Sequence, residues 1–172
     1  MRARFYAMIL IALFSLAMTA GCISKTSNIH ELNIEGQTHH TMGRYNEAVA
    51  AYDRALAIDP ANGEAWRYRG LSLSQIGRQD EAEISFIKVL QVNPGDQEAW
   101  YFQALSRDSA GNTTGALDSV NHAVAITPGN RDDAIILTQA WTLQGDLLTK
   151  AGRVTEANES YHQAHETMMS MI

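Results

Sequence analysis

The sequence predicts an all-α fold in which four antiparallel helix pairs stack in a row. The main observation is a period of 34 residues along most of the chain. When the chain is aligned with itself at this period, equivalent positions form columns that hold one residue type. Three such columns are the prolines Pro60, Pro94 and Pro128, the glycines Gly43, Gly77 and Gly111, and the alanines Ala48, Ala82 and Ala116. Such a period is typical of helical hairpins that stack on one another, because a single hairpin cannot bury both of its faces.

Each column has a physical role in such a hairpin. Gly43 and its equivalents are expected to end the first helix, because a left-handed cap costs little only for glycine. Pro60 and its equivalents end the second helix. Small residues in the middle of both helices let them lie close together; these are Gly36, Gly70, Ala104 and Gly145 on the first helices and Ala48, Ala82, Ala116 and Ala157 on the second.

These columns closely resemble the tetratricopeptide repeat. Its pattern is carried best by residues 63–96, as Trp66, Gly70, Gly77, Ala82, Phe86, Val89 and Pro94. The other units are 29–62, 97–130 and 138–171, and the last of them has Met169 in place of the closing proline. The resemblance implies a right-handed superhelix of four helix pairs over residues 29–172, with aromatic side chains between neighbouring hairpins.

Residues 131–137 (RDDAIIL) interrupt the period. Seven residues make about two helical turns, so they can lengthen the first helix of the fourth pair without rotating its apolar face. Ile135, Ile136 and Leu137 would then extend beyond the regular stack. The alternative is a longer loop with a few buried aliphatic residues.

The N-terminus has the pattern of a secretory signal. Arg2 and Arg4 precede an apolar run, and small residues follow it, so residues 1–21 are interpreted as a signal peptide. The apolar run is shorter than the roughly 20 residues of a membrane span. Cys22 follows directly and resembles the lipidated cysteine of prokaryotic lipoproteins, although Thr19 stands where that family usually has leucine. Residues 22–28 would form the lipidated N-terminus and a short tether. A plain cleaved signal or an uncleaved anchor is the alternative.

Composition and charge exclude several classes of function. The chain has 45% hydrophobic and 19% charged residues, which is a globular composition. Its net charge of −6 is poorly suited to nucleic acid, because phosphate binding needs clustered basic residues. Its single cysteine permits no internal disulfide. No phosphate-binding glycine loop, nucleophile elbow or two-histidine zinc helix is found, so the chain is not expected to be an enzyme or to need a cofactor.

The family resemblance implies a concave groove lined by the first helices. The residues that map to its centre are Arg67, Tyr68, Leu71, Tyr101, Phe102, Leu105 and Asp108. We expect Tyr68, Tyr101 and Phe102 to anchor a protein or peptide ligand, since aromatic side chains often dominate such interfaces. Partial burial of Tyr101 and Phe102 against the neighbouring helix is the alternative.

A subclass of the family clamps the carboxylates of chaperone tails with Lys, Asn and Arg. The corresponding places in this chain hold Asn33, Gln37, Tyr68, Glu98 and Phe102, so chaperone-tail binding is not expected.

Two features of the C-terminus allow other hypotheses. His162, His165 and Met169 have helical spacing and are soft ligands that suit copper(I), and His39 and His40 form a further pair. Methionines at a helix end more often fill irregular apolar gaps, so no metal site is predicted. An apolar patch of Met168, Met169, Met171 and Ile172 would lie at the open end of the stack and allow self-association.

Together these features predict a non-catalytic protein-interaction scaffold. It would be anchored by lipid to the extracytoplasmic face of a prokaryotic cell membrane or envelope, and it would bind partner segments in its groove. The alternative is a structural subunit of an envelope assembly that packs through the ends of the repeat array.

Overall fold

The computed structural model describes residues 28–171. The expected signal peptide, Cys22, the first part of the tether and Ile172 lie outside the described residues. Within the described range, short connections join the helices, which are α1 (28–41), α2 (Tyr45–Ile58), α3 (Gly63–Gln75), α4 (Gln79–Val92), α5 (Gln97–Ser109), α6 (Thr113–Val124), α7 (Arg131–Lys150) and α8 (Val154–Met169).

The helices form four pairs that stack in chain order. Helix α3 packs on α4, α5 on α6 and α7 on α8, and each second helix also packs on the first helix of the following pair. The buried apolar side chains form clusters within and between these pairs. The predicted all-α fold of four antiparallel helix pairs is confirmed.

The glycine column ends every first helix in the same way. Gly43, Gly77, Gly111 and Gly152 all have a positive φ, between 72° and 79°. The residue after each glycine donates its backbone N–H to the carbonyl five residues earlier, as Arg78 does to Leu73 at 3.0 Å. These are the bonds of a helix cap that depends on a left-handed residue, so the spacing of the glycines sets the length of the first helices.

Within each pair, a small residue on the first helix contacts a large side chain 16 residues later on the second helix. A Cβ added to Gly70 would lie 2.8 Å from the ring of Phe86. The same contact recurs in two other pairs. A Cβ added to Gly36 would lie 2.6 Å from the ring of Tyr52, and one added to Gly145 would lie 2.5 Å from the ring of Tyr161. In the third pair both members change, to Ala104 and Val120, which lie in one buried cluster.

The tryptophan and proline columns are joined by a hydrogen bond. The indole Nε1–H of Trp66 donates to the carbonyl of Pro60, and that of Trp100 donates to Pro94, both at 2.9 Å. Each bond ties a first helix to the end of the preceding second helix. In the fourth pair the residue six places before Trp141 is Ile135, which lies inside α7.

The seven inserted residues lengthen a helix. Helix α7 has 20 residues, whereas α3 and α5 have 13 each, and it is unbroken from its start at Arg131. Asn130 caps it by accepting a hydrogen bond from the backbone N–H of Asp133. The lengthened helix is confirmed and the alternative of a longer loop is wrong. Ala134 and Leu137 of the added turns are buried, whereas Ile135 is 43% exposed.

We predict that Gly70→Ala destabilises the protein by about 1–3 kcal/mol, because its Cβ would overlap the ring of the fully buried Phe86. Gly63→Ala on the same helix is the matched control. An added Cβ there meets nothing within 4 Å, so its stability should stay equal or rise by up to about 1 kcal/mol. Denaturant midpoints measure both effects. Equal midpoints for the two variants would contradict the role given to the close contact.

Candidate protein-binding face

The first helices form one continuous face of the stack. Helix α5 contacts both α3 and α7. Among helices α2 to α8, by contrast, no second helix packs on another second helix. Helices that lie side by side occupy the inside of a curved stack and those that splay apart occupy the outside. The inner face therefore belongs to α3, α5 and α7, and all seven predicted partner-binding residues lie on α3 or α5.

Arg67 joins two of the first helices rather than standing free. Its guanidinium donates to the carboxylate of Glu98 on α5 and lies 3.6 Å from Asp96. Burial raises the pKa of the Glu98 carboxyl, and the Arg67 charge opposes this rise. The Arg67 side chain is 23% exposed and its charge is already compensated. It is thus poorly placed to bind a carboxylate of a partner.

Asp108 has a similar role at the other end of α5. Its carboxylate accepts a hydrogen bond of 2.6 Å from the Lys150 ammonium at the end of α7. Both predicted charged residues of the groove are therefore ion-paired between first helices, one on each side of α5.

The three predicted aromatic anchors are half-buried. Tyr68 stacks on Tyr52 with ring centroids 6.0 Å apart, and Phe102 stacks on Phe86 at 6.5 Å. Tyr101 packs against Phe102 and against the cluster between the third and fourth pairs, and burial raises the pKa of its hydroxyl. Tyr101 and Phe102 are therefore partly buried against neighbouring side chains, as the alternative interpretation of these residues expected. Each ring keeps some exposed surface on the inner face.

Three of the predicted apolar residues meet in one cleft. Leu71 of α3 and Phe102 and Leu105 of α5 line a cavity of about 270 Å³, which we call the α3–α5 cleft. Its other walls are polar and consist of Ser74, Gln75, Gln79, Ser106 and Ser109. Leu105 is 36% exposed and is the most accessible apolar group in it. The cleft offers a small apolar surface with a polar rim, which is the usual form of a peptide-binding site.

A second and larger cavity was not predicted. It measures about 470 Å³, lies between the first turns of α5 and α7, and is called the α5–α7 cleft below. Its lining consists of Arg67, Asn93, Gly95, Asp96, Gln97, Glu98, Ile126, Asp132, Asp133, Ile135 and Ile136. The seven-residue insertion supplies four of these residues. The interruption of the period was therefore the sequence signal that pointed to this cleft, although only its effect on helix length was predicted.

The histidine and methionine groups weighed as metal ligands have other surroundings. His162, His165 and Met169 are exposed on α8. His40 is half-buried between Tyr45 and Tyr68, and its Nδ1 lies 2.9 Å from Ser72 Oγ. Within residues 28–171 no group of three or more His, Cys, Asp and Glu side chains is placed to hold a metal ion. Over the same range, none of the helices is long and apolar enough to span a membrane.

Sequence models of known families match two adjacent stretches of the chain. One is described as a TPR repeat and matches residues 36–77, and the other is described as a tetratricopeptide repeat and matches residues 77–131. The chain contains tetratricopeptide repeats. The matched stretches cover most of the first three units, and α7 and α8 continue the same tetratricopeptide architecture beyond them. A comparison with curated protein sequences finds no significant match.

Solved structures of similar fold include other helical repeat proteins. The crystal structure of MamA has a TM-score of 0.74 and 22% identity, covering 83% of this chain and 80% of that chain. The type III secretion translocator chaperone SycD of Yersinia enterocolitica has a TM-score of 0.69 and 12% identity, covering 74% and 88%. The first TPR of Spaghetti (RPAP3), bound to an HSP90 peptide, has a TM-score of 0.57 and 18% identity, covering 66% and 90%. At these identities the likeness concerns the tetratricopeptide fold alone.

We predict that His40 makes stability depend on pH. Ser72 donates its only hydroxyl proton to the carbonyl of Tyr68, at 2.8 Å, so His40 donates to Ser72 from Nδ1. Burial lowers the pKa of His40 below 6.5 in the folded state. The unfolded chain then binds more protons, so the stabilisation is complete above the unfolded pKa and is lost as the pH falls below it.

His40→Asn tests this prediction, because an asparagine amide keeps a donor for Ser72 but does not titrate. The denaturant midpoint of the unmodified chain should fall more than that of the variant between about pH 7.5 and about pH 5.5. Parallel pH profiles would show that another group is responsible.

Proposed function

We propose that the protein is a non-catalytic interaction scaffold and that it binds a partner segment on the inner face of its repeat array. The observation that carries the proposal is the α3–α5 cleft, in which Leu71, Phe102 and Leu105 converge on the face shared by the first helices. Peptide recognition by an apolar pocket with a polar rim needs no further chemistry than this face provides.

One solved structure supports peptide binding by a protein of this fold. In the first TPR of Spaghetti, the same fold is bound to a peptide of sequence SRMEEVD. An acidic tail of that kind is not the expected ligand of this chain. The cationic clamp is missing, and Glu98 stands at one of the corresponding places with Asp96 beside it. These carboxylates would repel an acidic segment.

We further propose that a lipid on Cys22 anchors the protein to the extracytoplasmic face of a prokaryotic membrane or envelope. Support comes from the signal-like residues 1–21 and from the small residues that directly precede Cys22. The repeat array would then lie close to the membrane surface on a short polar tether, and its inner face would remain accessible to other envelope proteins.

A structural subunit of an envelope assembly is the second candidate. It is favoured by exposed apolar side chains on α8, where Met168 is 45%, Met169 53% and Val154 58% exposed. A partner or a second copy that covered α8 would bury these side chains, as a capping helix does in other repeat arrays.

The first test is crosslinking in intact cells, followed by affinity capture and mass spectrometry. We predict that Leu105→Asp loses the partners that the unmodified chain captures, because a carboxylate in the α3–α5 cleft opposes burial of an apolar ligand group. Leu105 is a better position for this substitution than Phe102, because Phe102 packs on the buried Phe86 and its replacement would also disturb the core. Ile84→Asp on α4 is the matched control, since Ile84 is 53% exposed and lies on a second helix.

The outcome separates the two candidate functions. Loss of partners in Leu105→Asp but not in Ile84→Asp supports recognition on the inner face. Partners that persist in Leu105→Asp and disappear in Met168→Gln/Met169→Gln favour the assembly subunit.

The anchoring proposal has its own test in Cys22→Ser. We predict that cells fed radioactive palmitate label the unmodified chain and leave the variant unlabelled, because serine lacks the thiol that receives the lipid. The variant should also leave the membrane fraction or keep an uncleaved N-terminus. An unlabelled but normally cleaved parent chain would indicate a plain secretory signal.

A further inference from the structure

The α5–α7 cleft carries an excess of negative charge. Four carboxylates line it, those of Asp96, Glu98, Asp132 and Asp133, against the single guanidinium of Arg67. Arg67 already pairs with Asp96 and Glu98, which leaves Asp132 and Asp133 on the opposite wall without a cation in the cleft lining. Acidic residues are common in the first turn of a helix, so these charges by themselves indicate no ligand.

A second observation concerns a buried polar side chain of this cleft. Gln97 lines it and is only 7% exposed. Its amide Nε2 donates to the carbonyl of Ala123 at 2.9 Å and to that of Ile126 at 3.4 Å, which fixes the side chain in place. Among the described residues, its Oε1 accepts no hydrogen bond. A buried acceptor without a donor is costly and is normally satisfied by some partner group.

The remaining walls are aliphatic. Ile126, Ile135 and Ile136 line the cleft beside the carboxylates, and Ile135 is 43% exposed. A long basic side chain matches this combination, because its methylene stem packs on apolar surface while its charged end seeks acceptors. Lysine and arginine bring only donors, and the polar groups of the cleft other than Arg67 are mainly acceptors.

The α5–α7 and α3–α5 clefts lie along the same helix. Glu98, which lines the first cleft, and Leu105, which lines the second, are seven residues apart on α5, which is two turns and about 10 Å along the helix axis. An extended peptide advances about 3.3 Å per residue, so about three residues of such a peptide cover that distance.

We propose that the α5–α7 cleft binds a lysine or arginine side chain of an extended partner segment, and that an apolar side chain about three residues away in the same segment occupies the α3–α5 cleft. This inference rests on the proposed function of the inner face and adds the chemistry of its ligand. The partner is thus a protein whose exposed or unfolded segment combines one basic and one apolar residue at that spacing.

The test uses the full chain, purified in mild detergent and immobilised, with a displayed library of random decapeptides. The expected result is enrichment of peptides in which Lys or Arg stands about three residues from Leu, Ile, Met or Phe. Affinity for a selected peptide should fall as salt is raised, because the charged contact lies in a cleft open to solvent.

Two matched variants then distinguish a loss of affinity caused by a change in the cleft from one caused by the change in net charge. Asp132→Lys should lower the affinity for a selected peptide by about tenfold, which corresponds to about 1.4 kcal/mol of binding free energy. Asp132 is exposed and makes no side-chain hydrogen bond among the residues that the structure describes, so the substitution should leave the fold intact. Asp118→Lys on α6 makes the same change of charge at another exposed position, outside this cleft, and should change affinity less than twofold.

The possible outcomes separate this inference from the proposed function. The selected peptides could require Leu105 for binding, yet show no preference for a basic residue and bind Asp132→Lys with normal affinity. That result would overturn the proposed binding of a basic side chain in the α5–α7 cleft, and it would leave the proposed scaffold function of the inner face intact. Cellular partners that persist in Leu105→Asp would overturn the scaffold itself. An empty library selection, combined with a change of sedimentation in Asp132→Lys, would assign the cleft to a second copy of the chain and overturn the inference.

Discussion

The whole array depends on one steric constraint within each helix pair. A residue with little or no side chain on the first helix must face a large side chain 16 residues later on the second. Gly70 against Phe86 shows the constraint most clearly, because not even a methyl group fits between them. Where the large partner shrinks to Val120, the small partner grows to Ala104. The distance between the two helices of every pair is thus set by a complementary choice of two residues, and close packing tolerates no independent change in either.

That distance determines how the pairs stack. First helices pack on one another in α3, α5 and α7, while the second helices from α2 to α8 do not. Arginines of the first helices span the resulting gaps. Arg69 reaches Asp53 on α2 and Ser85 on α4, and Arg107 reaches Glu83 on α4 and Ser119 on α6. The outer layer is therefore held by polar bridges, and the inner layer by direct contact and by ion pairs across α5. A curved inner face with two clefts is the geometric consequence of this difference.

The insertion in the first turns of α7 changes the surface that this inner face presents. Two extra turns place Asp132, Asp133, Ile135 and Ile136 beside the start of α5. In a regular array of equal helices, α7 would lack these two turns, and these four residues would not lie beside the start of α5. In the function proposed above, the ligand chemistry of the face would be set by this departure from the repeat, whereas the repeat itself supplies the scaffold. A shared fold does not fix the ligand.

The sequence by itself determined the repeat, its helix pairs and the turn glycines, because equivalent residues recur every 34 positions. For residues 131–137 it left a lengthened helix and a longer loop open, and the structure decided for the helix. Only the tertiary structure decided how the predicted groove residues are used. Arg67 and Asp108 proved to be ion-paired to Glu98 and Lys150, and the three aromatic anchors proved to be half-buried. The ion pairs join residues 31 and 42 apart in sequence, so they do not follow the 34-residue period. How far the aromatic rings are buried depends on how closely neighbouring pairs stack. The α5–α7 cleft escaped prediction for the same reason, since its two walls come from helices that become neighbours only when the pairs stack.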